Sequence, residues 1–262
     1  MNDQDRHFYS LAFLMALALT AIVYAPMFAG KIPFPADFIF DFPPFAHRAP
    51  PGYPSVHTNI GDLVTSFYPY HTLAARAARN GELPLWNPYM LSGAPFLANT
   101  QSALFYPPNF LYYVLPVPVA WSIGFVLRRL LAALFTALFV RRIGGSTTGA
   151  IVSGLLFAFC GFLTAWQGQA MSDAAIWLPL ICYSVVRLRS DPSARSVGFA
   201  AFAFAMPALA GHPETAAHVT LTGLGLMAFL IAAPEPNVKG SESAVAFVKC
   251  FVAAGLLAIG MA

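Results

Sequence analysis

The chain has 262 residues, of which 58% are hydrophobic and only 10% charged, with a mean hydropathy of +0.65. Soluble domains carry about a quarter charged residues, so this composition excludes an ordinary water-soluble domain and points to a chain whose solvent is mostly lipid. The formal net charge of +3 comes largely from arginines at the ends of apolar runs, which reads as membrane topology and not as nucleic-acid binding.

Taken in order, residues 8–29 are free of charge between His7 and Lys31, enough to cross roughly 30 Å of hydrocarbon. The flank MNDQDRH lacks the basic region of a secretory signal, and no small-residue cleavage site follows, so this run is expected to remain as a transmembrane helix. A large external loop is expected over 30–103. Next comes LFYPPNFLYYVLPVP (104–118), apolar but broken by prolines, which reads as a re-entrant or interfacial segment. Further spans are predicted over about 119–140, 149–167, 174–189, 196–210, 215–233 and 244–262. The last is still hydrophobic at Ala262, as in an N-terminal fragment of a longer protein. The expected fold is an all-α polytopic membrane protein, with about seven transmembrane helices in this fragment.

Orientation follows from the short loops. Arg141 and Arg142, then Arg187, Arg189 and Arg195, then Lys239 and Lys249 mark one side, while 168–173 and 211–214 contain no Lys or Arg. The positive-inside rule puts the basic loops and the N-terminus in the cytoplasm and the large loop outside. Asp37, Asp41, Asp62, Asp173, His212 and Glu214 then all fall on the external side, in a chain of only 11 acidic residues. Cys160, Cys182 and Cys250 sit inside apolar runs and suggest neither a disulfide nor a metal cluster.

The loop concentrates the unusual composition. Its part from Gly61 to Pro107 is dense in Pro, Gly, Asn and aromatic residues, which suits a shaped loop. Pro69 and Gly81 bracket a short helix, YHTLAARAARN, with Tyr70, Leu73, Ala74 and Ala77 on one face and Arg76, Arg79 and Asn80 on another. Such a helix can lie flat on a membrane or simply be a solvated surface helix. Asp62 with the following FYPY, GELPLWNP (81–88), SGAPFLANTQSALFYPPN (92–109) and AGHPET (210–215) resemble the bacterial YfhO-like family of polytopic proteins with the GT-C membrane glycosyltransferase architecture. The resemblance covers about residues 35–220. It implies transfer of a sugar from a polyprenyl-phosphate carrier to a cell-envelope glycan or protein acceptor at the bacterial cytoplasmic membrane. It also implies that an acid of the first external loop is the general base, a role that falls to Asp62.

Sugar transfer to a hydroxyl requires a base for the acceptor proton, and a positioned carboxylate supplies one. Asp62 is also well suited to cap the helical segment after it, and the two roles are compatible. Arg128 and Arg129 interrupt an apolar span, where each costs about 2.5–3.5 kcal/mol on insertion scales. Two readings stand for them: contacts to a lipid phosphate, or a buried ion pair with an acid such as Asp173. Trp86, Asn87, Gln101 and Tyr106 are candidates to line a sugar site, by an aromatic face and amide hydrogen bonds, and interfacial belt residues are the alternative. His212 and Glu214 flank Pro213 in a tight external turn that could bind pyrophosphate or sugar hydroxyls, or merely be wet. Asp37 and Asp41 are spaced i, i+4 and could hold a divalent cation, though the nearby prolines argue against a helix and two carboxylates make a weak site. No cofactor is expected, and no Walker loop, dinucleotide fingerprint, HExxH or GxSxG is present. The rival functions are a transporter or lipid flippase, which binds cargo on broken helices near the midplane, and a non-enzymatic assembly protein.

Overall fold

The computed structural model describes residues 3–53, 60–233 and 240–262 and is 74% helical. Lys239, counted above among the basic residues of one loop, lies outside the described residues. Helix α1 (Asp3–Val23) is followed by a 3₁₀ turn, Ala25–Ala29, closed by Gly30 at φ 76°. Pro26 has no N–H to extend the α-helical ladder, so the first apolar helix stops at Val23 and not at the predicted residue 29.

Among the described residues between 30 and 103, the longest helix is α2 (Tyr68–Arg79), which starts one residue before the predicted Pro69 and ends ahead of Gly81. A wide π-type turn, Leu63–Phe67, leads into it, and short 3₁₀ turns cover Ala36–Asp41 and Ala46–Arg48. After α2 comes a two-stranded antiparallel ribbon, β1 (Trp86–Asn87) against β2 (Ala94–Pro95). The proline-rich segment breaks where Pro lacks a donor. It contains a 3₁₀ turn, Pro107–Phe110, a single helical turn, α3 (Leu111–Val114), and a kink at Leu115–Pro116.

The long helices follow. They are α4 (Val117–Arg142), α5 (Thr147–Ala158) with its short continuation α6 (Gly161–Ala165), and α7 (Ala170–Ala175) leading into α8 (Leu178–Ser190). Then come α9 (Ala194–Leu209), α10 (Pro213–Ala232) and α11 (Gly240–Met261). Among the described residues, four stretches are long and apolar enough to cross a membrane: 117–142, 147–165, 170–190 and 213–232. Shorter apolar helices cover His7–Val23, Ala194–Leu209 and Val245–Met261. At 1.5 Å per residue, the 16 residues of α9 reach about 24 Å, short of the roughly 30 Å hydrocarbon layer.

Helices α4 and α8 form the centre. Helices α1 and α5 pack on α4 from one side, while α9, α10 and α11 gather around α8 on the other. Burial follows this order: 67% of the 170–190 span is enclosed against 11% of the 213–232 span. The outer faces carry exposed Leu11, Leu14, Leu221, Phe229, Leu256 and Ile259, the pattern of a surface in contact with lipid. Small residues permit the closest approach. A Cβ on Gly154 of α5 would meet the Ala133 carbonyl oxygen of α4 at 2.5 Å, so any larger residue would push the two helices apart. A separate aromatic-rich cluster of Tyr24, Leu63, Phe67, Tyr112, Trp121 and Phe125 roofs one end of the bundle, joining α1, the π turn, α3 and α4.

Candidate functional site

Eleven residues into α4, about 16 Å below Val117, two adjacent arginines leave the helix in different directions. Arg128 grips Asp173 of α7 with both sides of its fork: Nε donates to Oδ1, and Nη2 to Oδ2 at 2.8 Å. Arg129 turns toward α1 and the end of α5. It donates to Tyr24 Oη at 3.2 Å, to Gln167 Oε1 at 3.0 Å and to the carbonyl oxygen of Ala158, while Tyr24 itself donates to the same Gln167 oxygen at 2.8 Å. The buried ion pair with Asp173, one of the two sequence readings, is therefore present. It accounts for the insertion of one costly charge, and neutral acceptors satisfy the other.

The network extends outward through the proline-rich segment. Tyr106 is wholly enclosed, donating to the Asp173 carbonyl at 3.3 Å and accepting from Trp177 Nε1 at 2.9 Å. Burial raises its phenol well above the usual range, with the Asp173 charge adding to that. Its ring is fully enclosed, unlike that of Trp86 among the other loop candidates. Tyr112 stacks on His71 of α2, ring centroids 3.9 Å apart and planes within 7°. Burial, then the nearby Arg128 charge, lowers His71 to about 3, so it is neutral at physiological pH. Tyr112 is pushed up to about 12 by burial. Its hydroxyl lies near the Arg128 guanidinium but outside hydrogen-bond geometry, and Arg128 Nη1 is likewise buried without a partner. Both line a cavity of about 10 Å³ beside Gly124, room for about one water.

Asp62 has the opposite surroundings. It stands at the start of the π turn, exposed, and its side chain caps no backbone N–H. Capping is thus the role that its geometry does not perform. Ile60 and Leu63 on either side of it line a cavity of about 220 Å³, completed by Pro33, Phe34, Pro35, Phe125 and Gln167. Trp121 Nε1 donates to the Pro33 carbonyl at 3.0 Å and pins that wall. Gln167 and Phe125 also line the small cavity beside Arg128 and Arg129, so the open cavity and the arginine network share a wall.

The remaining predicted residues divide. Trp86 is 54% exposed on β1, whereas Asn87 is buried and its Oδ1 accepts from the Tyr89 N–H at 3.0 Å, a turn-forming role. Gln101 is exposed in the turn Thr100–Ser102. His212 caps α10, its Nδ1 accepting from the Thr215 N–H at 3.2 Å, and Glu214 is exposed in the first turn of that helix. The two turns meet. Gly211 at φ 90° lies so close that a Cβ there would be 2.3 Å from the Thr100 carbonyl oxygen. Gln101, His212 and Glu214 therefore share one region of the surface, but no hydrogen bond or ion pair among the described residues ties them to Asp62. Asp37 is buried and Asp41 exposed, so the two carboxylates do not present one face. No three His, Cys, Asp or Glu side chains come together among the described residues.

No family model, curated protein or solved structure matches the chain. Sequence reasoning did not assign Tyr24, Gln167, His71 or Tyr112 to this centre. Each is an ordinary interfacial or helical residue by type, and only tertiary packing brings it to the arginines.

Proposed function

We propose that the chain is a membrane glycosyltransferase that moves a sugar from a polyprenyl-phosphate carrier to an extracytoplasmic acceptor. In this reading seven helices cross the membrane, the N-terminus is cytoplasmic and residues 30–103 form the external loop. The observation that carries the reading is an exposed Asp62, without a side-chain partner among the described residues, beside an open cavity whose inner wall is shared with a buried arginine network. The resemblance to the YfhO-like family agrees with it.

Asp62 takes the proton from the acceptor hydroxyl as that oxygen attacks the anomeric carbon. The bond from that carbon to the carrier oxygen breaks, and the carrier leaves as its phosphate. The Arg128 nitrogen without a partner among the described residues, Nη1, faces the water-sized cavity beside Gly124, so a donor phosphate would reach it only if that space opened. Arg129 is satisfied by its neighbours and reaches the cavity wall only through Gln167. The test is sugar release from a defined lipid-linked donor by purified protein, with Asp62→Asn measured for turnover and donor affinity side by side. Near-normal turnover in that variant would remove Asp62 as the base.

A transporter or flippase is the second reading, favoured by the broken helices α5/α6 and α7/α8 around the arginines. Movement of labelled lipid across vesicles without any glycosidic product would select it. Topology is checked separately, with single cysteines at Ser92 and Ser146 in a background lacking Cys160, Cys182 and Cys250. Both sites are exposed, and an impermeant reagent should label only the first.

A further inference from the structure

Away from the arginine network, α2 and the proline-rich segment enclose a second cavity of about 330 Å³. Its wall is Ala74 and Ala78 of α2 with Leu83, Leu104, Phe105 and Phe110. The Tyr113 hydroxyl, which also faces this space, is already spent on the Leu104 carbonyl at 2.6 Å. The rim is apolar and open: Leu83 is 55% and Phe105 57% exposed, and Val114 just after the segment and Val119 and Ile123 on α4 are exposed as well. Apolar surface of this extent, continuous with a helix that crosses the membrane, faces acyl chains and not water.

One charged residue lines the mouth, and a second, of opposite sign, directly follows the lining residue Ala78 in α2. Glu82 lines it, and among the described residues its carboxylate makes no hydrogen bond or ion pair. Arg79, three residues earlier at the end of α2, reaches across to the Leu115 carbonyl at 3.0 Å with one nitrogen, leaving the rest of its fork free. The two are not paired with each other. Together they match a headgroup carrying both charges: a phosphate for the guanidinium and an ammonium for the carboxylate.

We propose that this cavity seats one chain of an ethanolamine-type phospholipid, with its phosphate on Arg79 and its ammonium on Glu82. An anionic headgroup would set a second negative charge against Glu82. A choline headgroup has no N–H to donate to the carboxylate. The site is separate from Asp62 and holds whether or not the chain transfers sugar.

The experiment is native mass spectrometry of the purified full-length protein in detergent. Phosphatidylethanolamine, phosphatidylglycerol and phosphatidylcholine of identical acyl chains are offered at equal concentration. The ethanolamine lipid should be retained about fivefold over the other two, the size expected of two partly exposed charged contacts. Arg79→Gln and Glu82→Gln should each erase that preference, and Glu82→Gln should leave phosphatidylglycerol retention equal or higher. Ala78→Trp fills the cavity without touching either charge and should lower retention of all three lipids. The three positions are exposed, so the variants keep the fold. Equal retention of the lipids by the unaltered protein, a preference for phosphatidylglycerol, or unchanged retention in Ala78→Trp would each overturn the proposal.

Discussion

Asp173 and Asp62 are both carboxylates near one end of the same bundle, and they live in opposite conditions. Asp173 is buried, and both its oxygens are held by Arg128. Asp62 is exposed, and its side chain caps nothing. Asp173 is occupied by the ion pair that compensates Arg128 inside the bundle. Among the described residues, no hydrogen bond or ion pair occupies Asp62 in this way. The pair thus separates a group that holds the bundle together from one available for chemistry, although the sequence places both acids on the same side.

The sharpest way to break this contrast is to exchange the consequences. Asp62→Asn should cut turnover by about 10²–10⁴, the range for a lost acid–base group, while unfolding in detergent moves by no more than about 0.5 kcal/mol. Asp173→Asn should do the reverse in kind. It should destabilise the fold by about 3–5 kcal/mol, because Arg128 is left buried and uncompensated, as read from denaturant titration. Replacing Arg128 and Asp173 together by Leu should restore most of that loss. A destabilisation as large in the double variant as in Asp173→Asn would show that the pair is not the cause.

A finer test uses His71, which sits between the two regions. Its folded pKa of about 3 is below the ordinary value of about 6.5. Between those values the unfolded chain binds a proton that the folded one excludes, so stability falls as pH drops from about 6.5 toward 3. The slope approaches about 1.4 kcal/mol per pH unit for one such group. His71→Phe keeps a flat ring on Tyr112 and should remove this part of the slope between pH 6.5 and 5. An identical slope in the variant would place the acid sensitivity elsewhere.

The smallest effect is expected at His212. Loss of the cap in His212→Ala should cost about 0.5–2 kcal/mol, and His212→Asn should recover most of it. If sugar transfer also recovers in the Asn variant, His212 acts through the start of α10. Activity that stays low while stability returns would make it a substrate contact.

How much of this was legible follows from particular residues. The helices with long uninterrupted apolar runs ending in arginine were readable to within a few residues. The spans predicted at 119–140 and 174–189 correspond to helical stretches 117–142 and 170–190. The end of α1 was not, because Pro26 lies inside a run that stays apolar after the α-helix has stopped. The short helix at 68–79 was visible from its flanking Pro and Gly. The burial of Tyr106 was not legible, because an aromatic in a proline-rich stretch has one appearance whether it faces sugar, headgroups or the core. The contact between Asp173 and Arg128 spans 45 positions of sequence, and only an anticipated need for charge compensation hinted at it.

One feature of the arginine pair reaches further than the pair itself. Helix α5 ends at Ala158, so the carbonyl there has no following turn of the same helix to accept from. Arg129 provides the missing donor, acting as a graft of hydrogen-bonding capacity from one helix onto the gap in another. The interruption and the arginine are therefore mutually dependent. A change that fused α5 and α6 into one continuous helix would consume that carbonyl and leave a buried cation in surplus. A neutral residue at 129 would expose the gap.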